Sequence, residues 1–262
     1  MTSPGLKPLI TLGKGEPVID PYEVVKNEQV KVPCRNFALV FTNYMFKTAK
    51  KLIQSAKKIG LYAPVLGSIK GVYNGVEVCI TQLYFSAPAS TMALELLIAR
   101  GADKFIVIGE AGAIHPLLRI GDILIPTWGI REEGTSYHYM PLNYTPKPDL
   151  KMAIALEKEI KKLKGRKKIR VIKGGVWTTD AFFRETRDKV EKYSKMKVLA
   201  VEMESTALMT VAKYRGAKLA IALAISDELY KEKWNPGFKT KKLRKTERIL
   251  VEAALNTITK TS

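Results

Sequence analysis

Fully apolar strand segments alternate with helical segments along most of this chain, and this alternation constrains the fold more than any other feature. The segments "KFIVIG" (104–109) and "KLAIALAIS" (218–226) carry no polar residue in their interiors. Such strands are buried on both faces, because a half-exposed strand alternates apolar and polar residues. Amphipathic helical segments such as "DLKMAIALEKEIKKLKG" (149–165) lie between them. The pattern predicts an α/β fold in three layers, with helices on both faces of a central sheet.

The remaining elements follow from the same periodicities. The predicted strands are 36–42, 76–83, 104–109, 169–179, 197–202 and 218–226, with a short apolar segment at 121–126. The predicted helices are 44–60, 90–101, 149–165, 184–195, 203–215 and 241–258. A chain of 262 residues without a linker or repeat is expected to form a single domain. We divide it into an N-terminal extension (1–35), a core (36–230) and a C-terminal loop and helix (231–262).

The lack of a recognisable targeting signal, together with the cysteine usage, predicts a cytoplasmic protein. No apolar run approaches the ~20 residues that a membrane span needs, and the start "MTSPGLKPLI" has no signal-peptide pattern. Cys34 and Cys79 are far apart and have no further ligand at metal-binding spacing. They are therefore predicted to be small buried thiols in a reducing compartment, and no metal site is expected.

The chain is strongly basic, with a formal net charge of +19, so a nucleic acid must be considered as a partner. Much of the excess lies in helical segments, "KKLKGRKKIR" (161–170) and "KTKKLRKTER" (239–248). Lysine on the outer face of a helix is usually solvated and is common in heat-adapted proteins. We favour that interpretation over a nucleic-acid site, and a basic binding module remains the alternative from a different functional class.

Carboxylates follow several of the apolar strands. In an α/β sheet, ligands bind beyond the carboxyl ends of the strands, and a carboxylate beside a packed core needs a partner or a function. Glu110 lies in the small-residue segment "VIGEAGAI" (107–114), which is predicted to be a turn after a strand. For Glu202 and Glu228, the alternative of a structural helix cap is left open. The sequence has no Walker loop, dinucleotide fingerprint or zinc-protease motif, so no cofactor is predicted.

Two further motifs make the chain resemble a known family. "VLAVEMESTAL" (198–208) followed by "AISDEL" (224–229) is similar to the motif pair of the nucleoside phosphorylases, which include purine nucleoside phosphorylase, uridine phosphorylase and the methylthioadenosine nucleosidases. "REEGTSYHYMP" (131–141) resembles the uridine phosphorylase branch, with archaeal members nearest in character. The resemblance spans roughly 36–230. It implies an α/β/α sandwich with a mixed central sheet, no cofactor, and a homo-oligomer of trimeric or hexameric type.

The resemblance also implies the chemistry, which is cleavage of the N-glycosidic bond of a nucleoside. Glu204 would accept hydrogen bonds from the ribose hydroxyls, with Met203 packed behind the sugar and Glu202 beside it. Asp227 matches the acid that interacts with N7 of the leaving base in the purine-cleaving branches, and Ser226 would orient it. Because pyrimidine-cleaving members lack that aspartate, a purine nucleoside is the preferred prediction.

The base side is predicted from "VWTTDAFFRET" (176–186), which resembles the base-side loop of the family. Phe182 would stack on the base, Phe183 is the alternate if the register is shifted by one, and Thr179 would lie beside them. Stacking a base on a ring contributes on the order of 1 kcal/mol beyond burial. A purely structural role for both phenylalanines remains open.

The phosphate side departs from the family pattern. Only Lys47 stands where the first phosphate loop has an arginine, Val107 replaces a second arginine, and Glu110 replaces a serine or threonine. A carboxylate ~4 Å from phosphate would oppose binding by about 4 kcal/mol at an effective dielectric of about 20.

Three interpretations of this side remain open. Water could replace phosphate, with Glu110 accepting its proton. Alternatively, phosphate could still bind while Glu110 turns away or pairs with a lysine. The groups that would then bind it are Lys47, Ser86, Ser90 and the backbone at Gly109. A third possibility is a protein that binds a nucleoside or nucleic acid without catalysis.

Overall fold

A computed structural model describes residues 12–13, 15–26 and 34–260. Within them, ten strands form a single sheet and seven α-helices pack around it. The strands are β1 (Asn36–Val40), β2 (Gln54–Lys58), β3 (Val65–Tyr73), β4 (Val76–Leu83), β5 (Lys104–Ala113), β6 (Ile123–Glu132), β7 (Val171–Thr179), β8 (Val198–Glu202), β9 (Lys218–Glu228) and β10 (Asn235–Pro236). The helices are α1 (Pro21–Lys26), α2 (Asn43–Leu52), α3 (Ala87–Ala99), α4 (Leu150–Lys164), α5 (Arg187–Lys195), α6 (Ser205–Tyr214) and α7 (Lys241–Lys260).

The sheet is mixed and partly closed on itself. Its order is β10-β9-β6-β7-β8-β5-β1-β4-β3-β2, and β5 also pairs with β9. The strands β9, β6, β7, β8 and β5 therefore form a ring. Strand β5 runs parallel to β1 and β9, so the carboxyl ends of β5 and β9 lie side by side. This arrangement brings Glu110 of β5 and Asp227 of β9 to the same edge of the sheet.

Both faces of the central strands are buried, as the sequence predicts. In β1, Phe37 and Leu39 belong to the core on one face, whereas Ala38 and Val40 belong to the core on the other. Helices α3 and α6 contribute to the first core, and α2, α4 and α7 contribute to the second. The predicted mixed α/β fold with helices on both sides of the sheet is confirmed.

One predicted helix is too long. The segment 44–60 was expected to be helical throughout, but α2 ends at Leu52, and Gln54–Lys58 forms edge strand β2 instead. Strand β2 pairs antiparallel with β3, which the sequence analysis did not identify. Lysines at an edge strand discourage pairing with another chain, and the charged pattern of this segment fits that position as well as it fits a helix.

The segment around Glu110 is strand and not turn, so the predicted glycine turn is wrong. Strand β5 continues through Ala113 and pairs with β9 along its whole length, with a register shift between Ala111 and Gly112. The small residues allow the strand to continue where neighbouring side chains crowd it. Glu110 is thus held by a rigid sheet, opposite Ala224.

The two cysteines also differ from prediction, because Cys34 and Cys79 form a disulfide and are not free thiols. Cys79 lies in β4 and pairs in register with Phe37 of the neighbouring parallel strand β1. This pairing brings the two cysteines together although 45 residues separate them in the sequence. A link of this length restrains the unfolded chain and typically contributes about 2–4 kcal/mol to the free energy of unfolding.

The ends of the chain are described only in part. Of the predicted N-terminal extension, helix α1 and a few flanking residues are described, and the rest lies outside the described residues. The predicted C-terminal helix is confirmed as α7, which is buried along much of its length. No helix among the described residues is both long and apolar enough to cross a membrane.

Candidate functional site

A cavity of about 300 Å³ opens where β5, β8 and β9 end. Most of the carboxylates predicted from the strand ends line it. Its walls are formed by Phe41, Phe85, Val107, Glu110, Ala111, Gly112, Phe182, Glu185, Val201, Glu202, Met203, Glu204, Ser205, Leu208, Leu223, Ser226, Asp227 and Phe238.

Asp227 is fixed at the end of β9 by two side-chain hydrogen bonds. Ser226 Oγ donates to Oδ1 at 2.6 Å, and Trp234 Nε1 donates to Oδ2 at 2.7 Å. Ser226 is therefore placed as predicted, beside the acid that it would orient. Burial raises the pKa of Asp227 above its ordinary value, although the two hydrogen bonds oppose that shift. The carboxyl group is both oriented and easier to protonate than an exposed aspartate.

Gly112 permits this placement of Asp227. A Cβ at position 112 would lie 2.4 Å from Leu229 Cδ1 and 3.1 Å from Asp227 Oδ2. A larger residue would therefore displace the Leu229 side chain and crowd the carboxylate, so the small residue at this point of β5 has a steric role in the site.

Glu202 and Glu204 have different environments although they are only two residues apart. Both oxygens of Glu202 are occupied, since Thr178 Oγ1 donates to Oε1 at 2.5 Å and the backbone amides of Glu204 and Ser205 donate to Oε2. Glu202 thus supports the start of α6, which is the structural alternative left open above. Glu204 Oε1 is buried without a hydrogen-bond partner, and burial together with the nearby Glu202 raises the pKa of Glu204 well above its ordinary value.

The other predicted sugar and base residues divide between the cavity and its surroundings. Met203 and Phe182 line the cavity, and Phe182 is 42% exposed beside the mouth. Phe183 packs edge-to-face against Phe182 but is itself 94% exposed. Thr179 is buried and its hydroxyl accepts a hydrogen bond from the Ala181 amide, so it shapes the loop and does not line the cavity.

Glu110 faces a second buried carboxyl group. It hydrogen-bonds Glu247 of α7, and burial followed by the charge of Glu247 raises the pKa of Glu110 to about 8. Glu247 itself accepts from Thr42 Oγ1 at 2.9 Å and from Arg244 Nη1 at 2.6 Å. Arg244 Nη1 lies 4.0 Å from Glu110 Oε1. The Arg244 guanidinium group stacks over the ring of Tyr44. With a pKa of about 8, Glu110 is mostly protonated at neutral pH, and it hydrogen-bonds Glu247 in that form.

The predicted phosphate ligands are not assembled around this carboxyl pair. Lys47 is exposed on α2 and does not line the cavity, and Ser90 is buried with its hydroxyl donating to the Tyr84 carbonyl. The Ser86 backbone amide hydrogen-bonds Glu204. Gly109 packs against the Phe41 ring. A Cβ atom at position 109 would lie only 3.1 Å from that ring. Phe41 stacks on Phe85, so apolar surface occupies much of this side.

Four site residues were missed from the sequence: Glu185, Trp234, Arg244 and Glu247. Arg244 and Glu247 lie in "KTKKLRKTER", a segment whose lysine content suggested a solvated face. The signal that could have identified Glu247 is its helical spacing, four residues after Leu243 and three before Leu250, which puts it on the buried face of that helix. Among the residues the structure describes, no group of three or more potential ligands could hold a metal ion.

Sequence comparison identifies the family to which the chain belongs. The sequence profile described as the Phosphorylase superfamily matches residues 45–256. The chain is 32% identical over 168 residues to uridine phosphorylase of Thermococcus kodakarensis, covering 59% of each chain. It is 26% identical over 161 residues to guanosine phosphorylase of Halorubrum lacusprofundi, covering 62% of this chain and 65% of the relative. The matches thus span less than two thirds of the length of these two relatives.

Comparison with solved structures supports the fold. Purine nucleoside phosphorylase from Toxoplasma gondii superposes with a TM-score of 0.78 at 19% sequence identity, covering 87% of this chain and 91% of that chain. At this identity the likeness establishes the mixed α/β architecture alone.

Proposed function

Because the chain belongs to the Phosphorylase superfamily, we propose that it cleaves the N-glycosidic bond of a nucleoside, with a purine nucleoside as its preferred substrate. The observation that carries the proposal is the pairing, in one cavity, of Asp227 held by two donors with the unpartnered carboxylate oxygen of Glu204. A nucleoside supplies what both groups lack, since its ribose hydroxyls are hydrogen-bond donors and its base nitrogen accepts a proton.

The charges that develop in the reaction match these two residues. As the glycosidic bond lengthens, positive charge grows on the sugar and negative charge grows on the base. Glu204 would accept hydrogen bonds from the ribose hydroxyls and favour the cationic sugar. Asp227 would donate a proton to the leaving base, because burial raises its pKa and Ser226 fixes its orientation. The fold would hold both side chains in position before the glycosidic bond begins to break.

The purine preference rests on Asp227 and on the aromatic base side. A carboxyl group at this position suits N7 of a purine, whereas a pyrimidine has no nitrogen there. The names of the relatives include a uridine and a guanosine phosphorylase, so they support a nucleoside without choosing its base.

The test is base release from a panel of adenosine, guanosine, inosine and uridine, followed by chromatography with 50 mM phosphate present and absent. We expect release of the purine bases to be at least about tenfold faster than release of uracil, the discrimination expected when one buried polar contact is lost. Preferential release of uracil would contradict the purine preference, and release of no base under either condition would contradict the proposed activity.

A second candidate function concerns the other substrate. We propose that water, rather than phosphate, attacks the sugar, which makes the enzyme a nucleoside hydrolase. The supporting observation is the Glu110–Glu247 pair, which places carboxyl groups on the side where the family resemblance expects phosphate. Arg244 is already engaged by Glu247 and the Phe238 carbonyl, so it offers little to a dianion.

The proposed water reaction balances with the groups present. The water oxygen bonds to the sugar carbon, the glycosidic electron pair leaves with the base, and Glu110 accepts a water proton while Asp227 supplies one to the base. Glu110 must first be ionised, and its raised pKa makes it a stronger base than an ordinary glutamate when it is. Glu247 and Arg244 would act as positioning residues for it.

Phosphate dependence separates the two candidates. We expect base release in phosphate-free buffer, with less than a twofold increase when phosphate is added. If release began only with phosphate, the family's ordinary phosphorolysis would be the activity and the hydrolase candidate would be wrong.

We also propose a homo-oligomer, as the family resemblance implies. Large apolar side chains such as Phe85, which lines the cavity, and Met92 of α3 are 60% and 54% exposed, and a neighbouring copy would cover them. Light scattering of the purified chain should give three or six times the 29.3 kDa of one chain. A mass of 29.3 kDa at micromolar concentration would contradict the proposal.

A further inference from the structure

The base end of the cavity combines aromatic rings with two carboxyl groups. Phe182, Trp234 and Phe238 supply the rings, and the last two lie 6.0 Å apart between centroids. Glu185 lines both the main cavity and an adjoining groove that Phe182 and Trp234 share. Trp234 contacts Asp227 directly, and Asp227 is the charge that acts on Glu185. Phe182 and Glu185 thus lie where the main cavity and the groove adjoin, with Asp227 and Phe238 on the cavity side and Trp234 on the groove side.

The charged side chains that line the cavity are all of one sign. Its charged lining residues are all acidic, namely Glu110, Glu185, Glu202, Glu204 and Asp227. Within the described part of the chain, the adjoining groove adds one basic residue, Arg187. The Arg187 guanidinium already donates to the carbonyls of Leu229 at 2.7 Å and Glu232 at 3.0 Å. Although the chain has a net charge of +19, no basic side chain that the structure describes lines this cavity, and Arg244, which lies 4.0 Å from Glu110, is engaged by Glu247.

An independent observation shows that the cavity lacks a binding partner. Glu204 is 5% exposed, and its Oε1 atom is buried with no hydrogen-bond partner. The described residues contain no ligand cluster for a metal ion, so a metal does not explain the acidic lining. An organic ligand with donor groups and positive charge would satisfy these carboxyl groups.

We propose that the base end selects nucleosides whose base carries a positive charge, with Glu185 as the residue that pairs with the charge and the rings of Phe182 and Trp234 packing against it. This inference rests on the proposed function, since it names the substrate class of that same site. Cations bind favourably over aromatic faces, and the attraction increases when water is excluded. A carboxylate beside the rings adds charge pairing that neutral nucleosides cannot use.

The electrostatic state of Glu185 supports the proposal. Burial, followed by repulsion from Asp227, raises the pKa of Glu185 to about 8. A cationic base placed between the two carboxyl groups would remove that repulsion and favour the ionised form of Glu185.

A cationic base also fits the cleavage chemistry. When its glycosidic bond breaks, the bonding electron pair returns to the ring nitrogen and neutralises the ring, so the base leaves as a neutral molecule. Water bonds to the sugar carbon, and its proton passes to Glu110. A cationic base therefore needs no proton from Asp227 to leave, whereas a neutral base does.

The test compares two isomers of one formula, 1-methyladenosine, which is a cation at pH 7, and N6-methyladenosine, which is neutral. Both leave N7 free. Binding is measured by competition and by calorimetry on the full chain, in the wild type, in Glu185→Gln and in Glu232→Gln. The last variant is the matched control, because Glu232 lies exposed in the neighbouring loop and does not line either cavity.

We expect the wild type to bind the cationic isomer about tenfold more tightly, Glu185→Gln to lose most of this preference, and Glu232→Gln to keep it. Equal binding, tighter binding of the neutral isomer, or a preference that survives in Glu185→Gln would overturn the inference. Because binding is read without turnover, this failure is distinct from failure of the proposed function. Continued base release from adenosine would leave the proposed function intact even if neither methylated isomer binds.

Discussion

The two ends of the cavity are built in different ways. At the base end, the carboxyl group of Asp227 is held by groups that are close in the sequence, its neighbour Ser226 on β9 and Trp234 seven residues later. At the opposite end, Glu110 from β5 meets Glu247 and Arg244 from α7, with Thr42 between them. The first end is one local motif, and the second is assembled from three distant segments.

This difference separates what the site shares with its family from what is its own. The base end keeps the motif on which the resemblance depends. The opposite end holds the Glu110–Glu247 carboxyl pair, with Glu247 hydrogen-bonded by Arg244 and Thr42, on the side where the resemblance leads us to expect inorganic phosphate. In the proposed hydrolase this pair would take the place of a co-substrate, and the variants below test whether the two ends work independently.

Glu204→Gln should have the largest effect, because Glu204 would act on the sugar between the two ends. We expect the rate of base release to fall by about 10²–10³-fold, the cost of removing one preorganised group that stabilises the transition state. Steady-state kinetics measures the fall. Denaturant unfolding at pH 8 supplies the control, since loss of repulsion from Glu202 should leave the free energy of unfolding unchanged or raised. Retained activity would exclude Glu204 from the mechanism.

Asp227→Asn should affect the base end alone. We expect about a 10²-fold loss with purine nucleosides, because an amide cannot supply the proton. Glu228→Gln is the matched control on the same strand, since Glu228 accepts from the Ile120 amide and from Asn235 and does not line the cavity. Equal losses in the two variants would indicate a structural effect and not proton donation.

Glu110→Gln should alter the opposite end and its pH dependence. Since the folded pKa of about 8 exceeds the unfolded value, the folded chain binds the extra proton between about pH 4.5 and 8. The free energy of unfolding should therefore fall in the wild type as pH rises through this window, by on the order of 2 kcal/mol more than in the variant. Denaturant unfolding from pH 5 to 8.5 measures it, and parallel curves would contradict the assigned pKa.

Activity should follow the same ionisation. If Glu110 accepts the proton of water, the wild-type rate of base release should increase with pH up to about 8, and the variant should be about tenfold slower and independent of this ionisation. A variant that keeps the wild-type pH profile would place the base elsewhere.

Cys79→Ser should have the smallest effect on activity, because the disulfide lies in the sheet away from both ends of the cavity. We expect the free energy of unfolding to fall by about 2–4 kcal/mol while base release at 25 °C stays within twofold of the wild type. Dithiothreitol should destabilise the wild type and leave the variant unchanged. A large loss of activity at unchanged stability would show that the cavity depends on this link.

The sequence predicted those parts of the molecule whose signals are local. The alternation of apolar strands and amphipathic helices identified both buried faces of the sheet, and the Asp227 and Glu204 motifs identified their end of the cavity. The fold and the common location of these two residues were predictable because each depends on residues within one element or on consecutive elements, whereas their roles stay a prediction.

The sequence could not predict contacts between segments that are far apart in the chain and meet only in the folded structure. Glu247 meets Glu110 only because α7 packs beside β5, and Cys34 meets Cys79 only because β1 and β4 are parallel neighbours. The continuation of β5 beyond Gly109 was missed for the same reason, since its pairing partner β9 is about 110 residues later in the chain. A lysine-rich surface pattern also concealed the buried face of α7.

The most direct measurement of the central claim is the identity of the sugar product when water and phosphate compete. A purine nucleoside is converted in ¹⁸O-enriched water containing 50 mM phosphate, and the sugar is analysed by mass spectrometry and ³¹P NMR. We expect free ribose carrying one ¹⁸O atom at its anomeric carbon, observed before that oxygen exchanges with solvent, and no ribose 1-phosphate. Ribose 1-phosphate as the main product would contradict it, because the Glu110–Glu247 pair would then admit the dianion that it is proposed to replace.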